Sequence, residues 1–209
     1  MAEARLQTQT EIGDELDGAS NVLFLTSSMD READELCLNL LAGEDIDRTN
    51  VLLTTFTTTP DTWMQSWTTT VGRPPANLKI ISVGEITRSA AVRTPGVGGP
   101  TTQVVDTVSS PGDLTGLGIK VSEQLEAWNV DRNRTNVCFD SVTALLQTAE
   151  LQTAFRFLHV LTGRFDAVDA TAYFYLDPEA FDDRTVSTLT MLFDATVTRD
   201  GDEWVVRTR

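Results

Sequence analysis

Residues Asn21–Leu41 read NVLFLTSSMDREADELCLNLL. Val22, Leu23, Phe24 and Leu25 form a short apolar run, as in a strand covered on both faces. Thr26, Ser27 and Ser28 supply turn and N-cap side chains. From about Asp30 onward, Leu36, Leu40 and Leu41 recur at helical spacing, with Cys37 beside them. Strand, turn and amphipathic helix together form the setting of a phosphate-binding loop. The glycine-rich version, G-x-x-x-x-G-K-[ST], holds phosphates with backbone N–H groups and a lysine. Here there is neither Gly nor Lys from Leu25 to Ala42. Asp30, Glu32, Asp34 and Glu35 put negative charge where a triphosphate needs positive. The expectation is a nucleotide-type fold that has lost its grip on the nucleotide.

On either side, strand and helix patterns alternate. Residues 1–19 read as a helix or arm leading into the first strand, and Gly43 as the stop of the helix that follows it. Val51–Phe56 is a second strand, and Pro60 opens a helix to about Thr69, with Trp63 and Trp67 four apart on one side, read as core packing with a partner-binding patch as the alternative. Leu78–Val83 is a third strand. Glu85–Gly112 is a long loop, broken by TPGVGGP at Thr94–Pro100. Its tip near Pro95–Thr102 is expected to be mobile, and Gln103–Val108 is a candidate short strand. Asp113 caps a helix over Leu114–Trp128. Asn136–Phe139 is a fourth strand, Leu145–Thr162 a largely helical segment and Thr171–Leu176 a fifth strand. Asp182 or Asp183 caps a helix of about Arg184–Phe193. Ala195–Arg199 and Glu203–Thr208 form a hairpin about Asp200-Gly201. This alternation predicts one α/β domain over residues 1–209, with a mostly parallel sheet, helices on both faces and a C-terminal antiparallel hairpin.

Composition narrows the function classes. The net charge is −15, and Lys79 and Lys120 are the only lysines beside fourteen arginines. An acidic, Lys-poor, Thr-rich chain resembles proteins of salt-in halophilic archaea, whose carboxylate surfaces stay hydrated at high ionic strength. Such charge argues against binding a nucleic-acid backbone, which needs clustered Lys and Arg. No apolar run reaches the ~20 residues of a membrane span. The polar, acidic start does not read as a signal peptide, so a cytoplasmic location is expected. Cys37 and Cys138 sit in apolar runs and read as buried, reduced thiols. Metal binding is not expected, with a single histidine and no C-x-x-C. His159 has no motif around it, and Ser141 lacks the G-x-S-x-G elbow, so no hydrolase triad is available.

Four places carry a family resemblance. NVLFL leads into Thr26, Ser27, Ser28, Met29, Asp30, Arg31, Glu32 and Ala33. VLLTTFTTTP at Val51–Pro60 puts Thr57 and Thr58 before a Thr-Pro helix start. NVCFDSVTALL at Asn136–Leu146 ends an apolar strand in Asp140. YFYLDPEAFDD at Tyr173–Asp183 breaks a strand at Asp177-Pro178 and leaves Glu179, Asp182 and Asp183 as an acidic rim at the carboxyl edge of the sheet. In this order they resemble the RecA-like ATPase group, within it the single-domain relatives of KaiC, including the archaellum-motor ATPase type, and in particular haloarchaeal members without an assigned activity. The resemblance implies a three-layer RecA-like fold. It also marks departures. Glu32 stands where the phosphate-loop lysine would be, and Ala33 where the Mg²⁺-reaching hydroxyl would be. Thr57 and Thr58 replace the acidic pair that positions the attacking water, and a hydroxyl is a very poor base beside a carboxylate. Asp140 keeps the Walker B position, with capping of the following turn as its local reading.

The resulting expectation is a pseudo-ATPase with no catalytic residue, cofactor or metal. It would act as a regulatory or scaffolding module on a protein partner, such as a signalling or transcription component or an active paralogue. Neither nucleic acid nor membrane is expected as a partner, and the state is monomer or dimer. The alternative is a divergent ATP-binding protein, with Asp140 on Mg²⁺ and Arg31 on phosphate.

Overall fold

A computed structural model describes residues 2–84 and 105–209. The elements that hold the site begin with β2 (Asn21–Leu25), α2 (Arg31–Ala42), β3 (Thr49–Thr55) and α3 (Pro60–Thr70), preceded by β1 (Ala2–Leu6) and α1 (Gln9–Glu15). Next come β4 (Asn77–Val83), β5 (Val105–Val108), α4 (Leu114–Trp128), β6 (Arg134–Asp140), α5 (Val142–Thr148) and α6 (Leu151–Asp166). The chain closes with β7 (Thr171–Leu176), α7 (Asp183–Thr190), β8 (Ala195–Asp200) and β9 (Glu203–Thr208).

Nine strands among the described residues form one sheet in the order β1-β9-β8-β2-β7-β6-β3-β4-β5. From β8 to β5 every pairing is parallel, while β9 runs against both β8 and β1. Helices cover both faces, which makes three layers. The alternation of β2 shows how the sequence builds them. Val22 and Phe24 pack with Leu36, Cys37, Leu41, Trp63 and Trp67 from α2 and α3. Leu23 packs on the other face with Leu117, Leu145, Leu158 and Phe165 from α4, α5 and α6. Side chains two apart share a face of a strand, so a strand that is apolar throughout serves two cores. Trp63 and Trp67 are core residues, with ring centroids 5.1 Å apart.

Several boundaries differ from the sequence expectation for local reasons. The N-terminal arm is an edge strand followed by a helix. Ala2–Leu6 pairs antiparallel with Glu203–Thr208, and Thr8 caps α1 in a capping box with Glu11. The cap of α2 is Asp30, not the Thr26–Ser28 turn: its side chain accepts from the Glu32 and Ala33 amides. The helical segment expected over Leu145–Thr162 is two helices. Ser141 caps the first of them, and extended residues Ala149 and Glu150 redirect the chain before the second. Asp182 is the cap of α7. Gly43, at φ +63°, ends α2, and Gly201, also at φ +63°, turns the hairpin, both in the left-handed region. In the Glu85–Gly112 loop, Val105–Val108 is a strand beside β4. The expected mobile tip, Pro95–Thr102, lies outside the described residues.

Candidate functional site

The carboxyl ends of β2, β3, β6 and β7 open onto a cavity of about 330 Å³ roofed by α2 and α3. Open α/β sheets bind ligands at this edge. Thr26, Ser27 and Ser28 after β2 line it. So do Thr57 and Thr58 after β3, Asp140 and Ser141 at the end of β6, and Asp177 after β7. Four places scattered through the sequence therefore meet in one crevice. α2 adds Asp34, Cys37, Leu38 and Leu41, and α3 adds Trp63 and Ser66.

The turn after β2 uses up its own amides. Asp30 Oδ1 accepts from Glu32 N at 3.1 Å and from Ala33 N at 3.2 Å, while Oδ2 accepts from the Thr26 hydroxyl at 3.0 Å. Asp177 Oδ2 accepts from Ser28 N and from the Ser28 hydroxyl, each at 3.1 Å. Asp177 is itself held by its backbone N–H, which donates to the Thr143 hydroxyl at 2.8 Å. Backbone amides at a helix start are an anion site because they present unpaired donors and the positive end of the helix dipole. Here two carboxylates of the chain already fill that role.

Charge around the turn is negative and locally balanced on its outer side. Arg199 on β8 reaches Glu32 at 2.6 Å and Asp30 at 3.8 Å, with its guanidinium 5.7 Å from the Trp204 ring centroid. Arg31 is exposed at the first turn of α2 and does not line the cavity; Met29 is 87% exposed. Neither Glu32 nor Ala33 faces into the crevice; Ala33 is core.

On the inner side, Thr58 Oγ1 donates to Asp140 Oδ2 at 3.0 Å, and Thr55 Oγ1 lies 3.4 Å from the same oxygen. Asp140 is therefore not the cap of the following helix: Ser141 takes that role through the Ala144 amide. The Asp140–Ser141 peptide is cis. Burial pushes the Asp140 carboxyl above its usual range, although the Thr58 and Thr55 hydroxyls pull the other way. Burial, then the charges of Asp140, Asp30 and Glu35, push Asp34 up to about 6. Cys37 and Cys138 lie side by side at the base of the cavity as free thiols. The Cys37 contact and burial hold the Cys138 thiol protonated. Tyr175 donates to the Ala33 carbonyl at 3.2 Å, and its phenol is raised well above its usual value, chiefly by burial. Among the described residues no group of three or more His, Cys, Asp or Glu is placed to hold a metal ion.

Comparison with known proteins places the chain. Residues 19–199 match the family of unknown function DUF7504. The chain belongs to that family. The match takes in every crevice residue named above and ends at Arg199, so the crevice lies wholly within the family's span. No curated protein matches the sequence. Among solved structures, the uncharacterized protein PH0321 from Pyrococcus horikoshii, crystallised in complex with an unknown peptide, shares the fold. The TM-score is 0.61, with 93% of this chain and 88% of that one covered at 11% identity. No helix among the described residues is long and apolar enough to cross a membrane.

Sequence reasoning reached Thr57, Thr58, Asp140 and the loop but missed how they are used. Arg199 was invisible as a loop partner because it lies in the last hairpin, far along the chain. The approach of Cys37 to Cys138 is equally nonlocal. The Asp177-Pro178 break was the one available signal for the carboxylate that binds Ser28, since Asp before a turn bonds nearby amides. Of the acidic rim, Asp177 enters the cavity, whereas Glu179, Asp182 and Asp183 are exposed outside it. His159 is exposed on α6, which packs on the opposite face of the sheet.

Proposed function

We propose that this chain is a non-catalytic relative of the RecA-like and KaiC-like ATPases that works as a protein-interaction module, in signalling or gene regulation of a halophilic archaeon. The observation that carries this reading is the occupation of the loop amides by Asp30 and Asp177. A triphosphate would have to displace two carboxylates and then sit beside Asp34 and Asp140, with no lysine to offset its charge. Thr57 and Thr58 support the same reading, because neither can act as the base for water. Function resides in sites and not in folds, so a fold stripped of its site is free to serve binding. PH0321 was crystallised with a peptide, which agrees with a peptide-binding role for such a fold.

Titration calorimetry with Mg-ATP in multimolar KCl tests the proposal. The expected result is no measurable heat of binding. A dissociation constant below ~100 μM, inside the range of enzyme substrates, would overturn it.

A further inference from the structure

The crevice carries a charge pattern that no lining residue among the described residues neutralises. Of its nineteen lining residues among the described residues, three are carboxylates and none is Lys, Arg or His. Asp177 is committed to the Ser28 and Glu179 amides. Asp140 is half-buried at the end of β6 and faces the cavity. Its Oδ2 is engaged by Thr58, while no donor among the described residues reaches Oδ1. Asp34 stands across from it on α2, and no hydrogen bond or ion pair among the described residues reaches its carboxylate. Carboxylates gathered in one cleft, with no cation among its described lining residues, focus a negative potential there that favours a cation.

The rest of the lining says what kind of cation. Leu38, Leu41, Trp63 and Tyr175 give the cavity an apolar wall. A bare or hydrated metal ion would leave that wall unfilled, and no metal-holding group of three or more side chains exists among the described residues. A charged head on a hydrocarbon stem matches both halves: the stem lies on Leu and Trp while the head meets the carboxylates. Aromatic faces add attraction for such a head. At about 330 Å³ the space is at the small end of ligand sites, ~300–1,000 Å³, and suits one side chain better than a whole ligand such as a nucleotide.

We propose that this cavity receives one basic side chain, a lysine ammonium or an arginine guanidinium, presented by a protein partner. The inference rests on reading the chain as an interaction module and names the chemistry that the module recognises. Asp34 and Asp140 hold the cationic head, Thr58 orients Asp140, and Trp63, Leu38 and Leu41 hold the stem.

The test is an amide NMR titration of the full chain in multimolar KCl. The probes are a glycine-rich peptide with one central lysine, its N-ε-acetylated counterpart, spermidine and Mg-ATP. The lysine peptide should shift the Asp34, Thr58 and Asp140 amides and bind at least ~10-fold more tightly than the acetylated peptide. Asp34→Asn and Asp140→Asn should each weaken it about 10-fold. Glu126→Gln, on α4 at the opposite face, should leave it unchanged. If Asp140→Asn melts early by circular dichroism, Asp34→Asn decides alone. Equal binding of the two peptides, or binding of neither, overturns the inference. Spermidine binding without peptide binding overturns the protein source. Mg-ATP binding would instead overturn the functional reading, and it registers separately in the same experiment.

Discussion

Asp34 is ionised at neutral pH against its surroundings. Burial, then Asp140, Asp30 and Glu35, raise its pKa to about 6, and the neighbouring Cys37, Cys138 and Tyr175 supply no positive charge. A folded pKa above the unfolded value of ~4 means that the native state binds the extra proton between those limits. Stability contributed by this group therefore falls as pH rises through that window, and at pH 7 the charge destabilises the fold. Asp34→Asn should raise stability by about 1 kcal/mol at pH 7, once solvent screening of a partly exposed group is allowed for. The gain should vanish near pH 4. Urea melts at the two pH values check this, and a variant less stable than the parent at pH 7 would contradict it. Asp30 makes the opposite contribution. Asp30→Ala strips the cap from α2 and leaves the Thr26 hydroxyl without its acceptor. The expected loss is about 1–2 kcal/mol by the same melts, with Asp30→Ser recovering most of it. The sequence could not tell these acids apart. Asp30, Glu32, Asp34 and Glu35 are one acidic run, yet the fold makes one a cap, one a partner of Arg199 and one a cavity carboxylate.

Elements were legible where punctuation was strong and partners were local. Leu114–Trp128 and Thr171–Leu176 stand in the structure as the sequence placed them, because Asp113 after Pro-Gly starts the first and Asp177-Pro178 stops the second. Strand β1 escaped notice because its residues are held by ladder bonds to β9, about two hundred positions away, and not by an apolar pattern of their own. The β4–β5–α4 corner has an equally nonlocal tie. Asp106 on β5 meets both lysines of the chain, Lys120 at 2.9 Å and Lys79 at 3.8 Å. Burial alone would raise its pKa, but the Lys120 hydrogen bond, the Thr107 amide and the two lysine charges together lower it. The sign is opposite to that of Asp34. This stability is fully present above the unfolded value of ~4 and is lost as pH falls through the lower folded value. Asp106→Asn should destabilise by about 1 kcal/mol at pH 7, a figure held down by partial exposure, and by less at pH 3, below the unfolded value, where part of that stability is already lost. Equal destabilisation at both pH values would mean that packing, not charge, ties the corner together.

At the scale of the whole molecule, a net charge of −15 is carried on a surface with few opposing cations. Self-repulsion of that size favours the expanded chain, and salt relieves it: the Debye length shrinks from ~10 Å at 0.1 M to ~3 Å at 1 M. The exposed ion pairs Arg5–Asp200, Arg207–Glu3 and Arg164–Glu126 weaken under the same screening, but each is worth only ~0–1 kcal/mol. Repulsion should therefore prevail, and the melting temperature should climb as KCl rises from ~0.1 M to ~1 M, then flatten once the Debye length falls below the spacing of neighbouring charges. Salt also alters hydration of apolar surface, so a rise alone does not identify the cause. Protonation separates the two. Near pH 4 much of the carboxylate charge is gone, and a rise due to screening should largely disappear, whereas one due to apolar hydration should persist. Thermal melts over the same KCl range at pH 7 and pH 4 make the comparison. An equal rise at both pH values would show that the acidic surface is not what makes this fold depend on salt.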